Sequence, residues 1–169
     1  IVEPSSALIA EYDEAMSNRQ VWNNAALLAA AGLLDDDKTF DARVGGPSGL
    51  VAHLSGALCG DGTWYEGDNY HLFALRGLWY CVTLCETRGR GLEPELNDRF
   101  HRAFAAPFHT ALPDFTMPSR KDSQYAVSLR QWRIAELGEL GFARQRDPLL
   151  ASALARFYEA DLARRDTGR

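Results

Sequence analysis

The chain has 169 residues, 46% hydrophobic and 24% charged, with a formal net charge of −5. That length and apolar share suit one globular domain with a sizeable core, residues 1–169, and the acidic balance argues against a general nucleic-acid binder. No apolar run is long enough to span a membrane, and none follows a basic start as in a signal peptide. The first residue is Ile1, as in a processed or an excised chain. Among the 18 basic residues only Lys38 and Lys121 are lysines. Arginine forks suit carboxylate and sulfate groups, although a compositional bias toward Arg and Ala gives the same count. The 3 cysteines, Cys59, Cys81 and Cys85, match no zinc spacing. Cys81 and Cys85 share one face of an apolar helix and read as buried free thiols.

Pro4 to Leu34 reads as largely helical, with Pro4 in a first turn and Ser5 or Ser6 as its cap. Leu8, Ile9, Tyr12, Ala15 and Met16 recur at helical spacing. The pattern pauses at Ser17-Asn18-Arg19-Gln20. The following run, VWNNAALLAAAGLL, is apolar nearly all round, as a buried helix is. Lys38 to Val44 reads as a short connection, and GGPSG as a turn. A short apolar helix, Leu50 to Leu58, carries His53, which reads as structural or partly exposed. The stretch DGTWYEGDNYHLFALRGL begins as a polar, aromatic loop. It becomes a helix from about Tyr70 to Thr87, ended by Gly89-Arg90-Gly91. Pro94 opens a helix to about Phe108, and Pro107 is expected to kink or end it. A long loop runs from Leu112 to Gln124, and long loops are more often functional than idle. A helix is expected from Tyr125 to Leu140, and a last one from Leu149 to about Arg164, capped by Asp147-Pro148. Residues 165–169 are expected to fray. No segment alternates like a strand. The predicted class is therefore all-α, a series of six or seven helices in hairpins.

Polar and aromatic residues gather at certain helix starts. His71 is a natural general base near neutrality. Tyr125 can exchange a phenolic proton if a cation such as Arg120 or Lys121 lowers its pKa. The Asn69 amide can donate to a carboxyl group. Trp22, Trp64 and Tyr65 offer flat faces for sugar rings, and Asn18, Asn23 and Asn24 offer amides for hydroxyls. The same residue types serve packing just as readily, so types alone leave structural and chemical roles open. Asp61, Glu66 and Asp68 lack the arrangement of an EF-hand, and no metal ligand set is predicted.

Three stretches together resemble the heparinase II/III-like and alginate (oligoalginate) lyase families of polysaccharide lyases. They are SNRQVWNNAALLAAAGLL, GDGTWYEGDNYHLFALRGL and SRKDSQYAVSLRQ, in that order, with Tyr125 lying 54 residues after His71. The resemblance implies an incomplete (α/α) toroid of helical hairpins, of which this chain matches the central and later part. It places the early toroid helices, a C-terminal β-sandwich domain, a further histidine and any metal site outside this chain. No cofactor is expected within it.

The implied reaction is β-elimination at a uronic acid unit in an acidic polysaccharide or oligosaccharide. The substrate carboxylate is neutralised so that enediolate charge is stabilised. A base then removes the C5 proton and an acid protonates the departing O4. By resemblance Tyr125 is the acid, and the base as well where both events fall on one face; His71 is the base or carboxylate neutraliser, depending on the uronate's configuration, and Asn69 a carboxylate contact. Asn18, Trp22, Asn23, Trp64, Tyr70 and Arg120 are the substrate-binding candidates. The alternative is a non-catalytic carbohydrate-binding helical module. A third reading is a helical scaffold for a protein partner. An opened toroid would leave surplus apolar surface and favour self-association. The resemblance suggests a periplasmic or secreted location, with the cytoplasm open for an oligosaccharide lyase.

Overall fold

A computed structural model describes the chain over residues 1–166, with side chains described through residue 159. The fold is all-α. Helices α1 (Val2–Ala10), α2 (Asn18–Leu34), α3 (Asp37–Gly45) and α4 (Leu50–Ala52) lead into a π-helical segment, His53–Ala57. Helices α5 (Asp68–Thr87), α6 (Pro94–Thr110), α7 (Trp132–Arg144) and α8 (Pro148–Asp166) follow. Among the described residues, β pairing is limited to three isolated bridges. No helix of the described residues is long and apolar enough to cross a membrane.

The centre of the molecule is α2 packed on α5. On α5, His71, Ala74, Leu75, Leu78, Cys81, Val82 and Cys85 are buried. That spacing of three and four is the stripe a core-facing helix presents. On α2 the matching stripe is Val21, Ala25, Leu28 and Ala31. Gly77 makes the close approach possible, since a Cβ there would lie 2.7 Å from Val21 Cγ1. Helices α6, α7 and α8 pack on one another beside this pair, and Gly141 of α7 sits against the Phe104 ring of α6. A second, smaller core of Met117, Leu129, Ile134 and Phe157 lies under the long loop. Exposed apolar side chains include Leu8, Leu33, Phe73, Tyr80 and Trp132.

Local chemistry explains where the chain departs from the sequence pattern. The pause at residues 17–20 is a cap: the Ser17 side chain accepts from the Gln20 N–H at 3.1 Å. The expected connection at Lys38 to Val44 is helix α3. Its start is fixed by Asp36, whose carboxylate accepts from the Thr39 N–H at 3.1 Å. Phe40 of α3 is fully buried, beneath the guanidinium groups of Arg88 and Arg90.

Pro107 does not end α6, which runs three residues further. A proline removes the N–H that would bond the carbonyl four residues back, here Ala103. That carbonyl instead accepts from His71 Nε2 at 2.8 Å.

The helix expected from Tyr125 begins only at Trp132. Residues 127–129 pair instead with residues 115–117: Met117 N–H donates to Val127 O at 2.8 Å and Leu129 N–H to Phe115 O at 2.7 Å. Ala126 adopts φ 55°, which breaks a helical path. Tyr125 therefore sits on a loop, not at a helix start. The expectation of fraying beyond residue 166 lies outside the described residues.

Candidate functional site

The polar stretch before α5 is built around two acidic side chains. Glu66 Oε2 accepts from the Asn18 backbone N–H at 2.9 Å, from Asn18 Nδ2 at 3.0 Å and from Trp64 Nε1 at 2.7 Å. A carboxylate at a helix N-terminus satisfies free N–H groups and the helix dipole together, so Glu66 fastens the start of α2 to the loop. Asp68, the first residue of α5, is buried. Its carboxylate takes a bidentate pair from Arg120, at 2.7 Å to Nη2 and 3.2 Å to Nε, and also accepts the Arg120 N–H at 3.2 Å. The pair raises the Arg120 pKa further. Arg120 is thus held in an internal ion pair, with 45% of its side chain still exposed.

His71 is buried, and both ring nitrogens are occupied. Nδ1 accepts from the Trp64 N–H at 3.0 Å, and Nε2 faces Ala103 O at 2.8 Å. These two partners require the neutral tautomer with its proton on Nε2. Burial drives the pKa down to about 4, because a charged imidazole would lose solvation and the Trp64 N–H would meet a second donor. In this geometry His71 holds the loop to α6 and has no lone pair free to abstract a proton. Tyr125, at the other extreme, is 91% exposed.

A groove of about 780 Å³ opens between the starts of α2 and α5, the long loop and α7. Of the residues expected from sequence, it gathers Asn18, Trp22, Asn69 and Tyr70. It is not lined by His71, Tyr125, Asn23, Trp64 or Arg120. Trp64 is core: it is 2% exposed and its ring stacks on His53 at 6.1 Å, so it is no platform for a sugar. Trp22 is held by donation from Nε1 to Phe73 O at 3.1 Å and by the tilted rings of Phe73 and Tyr80. The nearby Asp122 carboxylate pushes the Tyr70 phenol's pKa up, so the phenol keeps its proton at neutral pH.

The groove adds residues that sequence reasoning missed: Arg19, Arg76, Gln124, Gln131, Trp132 and Arg133. Arg133 lies over the Trp132 ring, 5.2 Å from its centroid. Arg19 bonds to Glu14 at 2.7 Å and Arg76 pairs with Glu136. None of the lining residues is acidic. The available signal was the dipeptide Trp132-Arg133, large and charged, just after a loop. Its place in an apolar run pointed to the core instead.

Elsewhere, a polar cavity of about 420 Å³ is lined by Asp61, Asp98, His101, Arg102, His109 and Asp147. Among the described residues no three His, Cys, Asp or Glu side chains converge as metal ligands. No family model matches the chain, and no curated protein sequence matches it.

Proposed function

We propose that this chain is the helical part of a polysaccharide lyase acting on uronate-containing chains, and that its own share of the work is to hold the acidic sugar in the Trp22–Trp132 groove. One observation carries this reading. In a protein of net charge −5, the groove is lined by two tryptophans, by Arg133 together with Arg19 and Arg76, which are paired with Glu14 and Glu136, and by four side-chain amides, of which Asn18 is bonded to Glu66, with no carboxylate among its lining residues. Flat apolar faces suit the faces of sugar rings, amides suit hydroxyls, and guanidinium groups suit carboxylates. The three-segment resemblance to heparinase II/III-like and alginate lyases supports the same ligand, and the all-α fold is compatible with a partial (α/α) toroid.

In the chemical step the Asn69 amide, with Arg133 near the same groove, offsets the uronate carboxylate charge. The C5–H bond breaks, its electron pair forms the C4=C5 double bond, and the C4–O4 bond cleaves. His71 is committed to the frame, so the assignment of base passes to Tyr125, which must act as the phenolate, its proton first lost to solvent, and must be carried with its loop from outside the groove to the bound sugar; it then takes the C5 proton and returns it to O4. The β-sandwich domain implied by the resemblance would bring further groups to this side. Alone, the chain is expected to turn over little or nothing, so the test is a uronate polymer incubated with the chain together with its β-sandwich partner domain while the ultraviolet absorbance of the unsaturated product is followed. Tyr125→Phe should remove that signal, and unchanged turnover would sink the assignment.

The burial of His71 and the position of Tyr125 outside the groove favour a second reading, a carbohydrate-binding module without turnover. Binding of oligouronates with no unsaturated product, in the presence of a β-sandwich partner domain, would select it.

A further inference from the structure

The loop at 118–127 is attached in two unlike ways. Its stem is apolar and paired: Met117 and Leu129 are buried in the smaller core, and the backbone bonds between residues 115–117 and 127–129 close the neck. Its tip is polar. It touches the start of α5 through the Asp68–Arg120 pair, through Ser123 Oγ accepting from the Asn69 N–H at 3.1 Å, and through Lys121 Nζ donating to Tyr65 O. Residues 119–122 and 124–126 are exposed. Gly67 lets the two backbones meet, since a Cβ there would lie 2.6 Å from Arg120 O. Gln124 reaches from this tip into the groove.

We propose that Asp68 is a positioning residue. Through Arg120 it latches the 118–127 loop shut as one wall of the groove, and the loop opens as a unit on its apolar stem when the latch is released. A tip held by charge-assisted bonds, with little apolar burial, can detach without disturbing the core. The stem then remains as the hinge, so Gln124 and Tyr125 move together. The consequence for ligand binding rests on the carbohydrate reading of the groove, but the latch does not.

The experiment is amide hydrogen exchange, read by mass spectrometry, on the wild-type chain and on Asp68→Asn, Arg120→Lys and Gly67→Ala. In Asp68→Asn, exchange in peptides from the 118–127 loop should rise by about tenfold, the effect of losing one charge-assisted latch. Peptides from α5 and α6 should keep their wild-type rates. Arg120→Lys, which keeps the charge but not the fork, should fall between. Gly67→Ala, strained at φ 124° and with its Cβ 2.6 Å from Arg120 O, should open the same loop with both ionic groups still present. Unchanged loop exchange in Asp68→Asn would overturn the latch. Equal acceleration of loop and helices would also overturn it, since Asp68 would then be a general stabiliser. Binding of a hexauronate to the wild type, with weaker binding to Asp68→Asn, supports positioning of the groove wall. Equal binding with an open loop overturns that part. A wild-type chain that binds no hexauronate defeats the carbohydrate reading, and the exchange data still decide the latch.

Discussion

Replacing His71 with asparagine should remove one component of this protein's acid sensitivity. Burial holds the folded His71 pKa at about 4, against 6.5 for a free imidazole. Between those values the unfolded chain binds a proton that the folded chain refuses. Stability therefore rises with pH across this window. The contribution is fully present above about pH 6.5, declines as pH falls below it, and is gone below about 4. Integrated from pH 7 to pH 5, this single group accounts for a loss of about 2 kcal/mol. That is a large share of a typical domain stability of roughly 5–15 kcal/mol.

The assay is urea unfolding of wild type and His71→Asn at several pH values between 7 and 5. In the variant a side-chain oxygen can accept the Trp64 N–H, but Ala103 O is left without its donor. The variant should therefore be less stable at pH 7, by about 1–3 kcal/mol for an orphaned buried group. The gap should then narrow as pH falls. Burial also lowers the pKa of His53 and His101, but these residues are common to both curves and cancel in the difference. Parallel curves from pH 7 to 5 would refute a buried, neutral, doubly bonded His71. A variant as stable as wild type at every pH but without turnover would return His71 to the role of base.

Two further outcomes test the packing. Gly141→Ala places a Cβ 2.6 Å from Phe104 Cβ and Cγ, and such overpacking should cost about 1–3 kcal/mol. Gly45→Ala, where nothing lies within 4 Å, should be neutral or stabilising, and thermal melts of the two variants should separate accordingly. Burial pushes the Cys81 thiol up and the Cys85 thiol to about 11, while Cys59 is exposed. Ellman's reagent should then titrate one thiol in the native protein and all three after unfolding; rapid reaction of a second thiol under native conditions would contradict the α2–α5 core.

The helix α5 was legible because its buried positions repeat at three and four from His71 to Cys85, and nothing interrupts them. Helix α3 was not, because one buried residue, Phe40, gives no period and its start depends on the Asp36 cap. The tyrosine loop was misread as helix because Val127 and Leu129 stand two apart, a spacing that served pairing with residues 115–117 better than a helical face. The site was legible in part. Asn18, Trp22, Asn69 and Tyr70 do meet at one groove. The role of His71 was out of reach, since its partner is a carbonyl freed by Pro107 on another helix, and no local pattern records that. Trp132 and Arg133 were hidden by the apolar residues around them.

The central claim is that the groove takes an acidic sugar chain. Titration calorimetry with a saturated hexauronate and with a neutral hexasaccharide of equal length tests it most directly, alongside Trp132→Ala and Arg133→Ala. The hexauronate should bind, the neutral chain should bind much more weakly, and each substitution should weaken binding of the acidic ligand by about tenfold or more. Equal affinity for the two sugars, or hexauronate binding untouched by both substitutions, would contradict it.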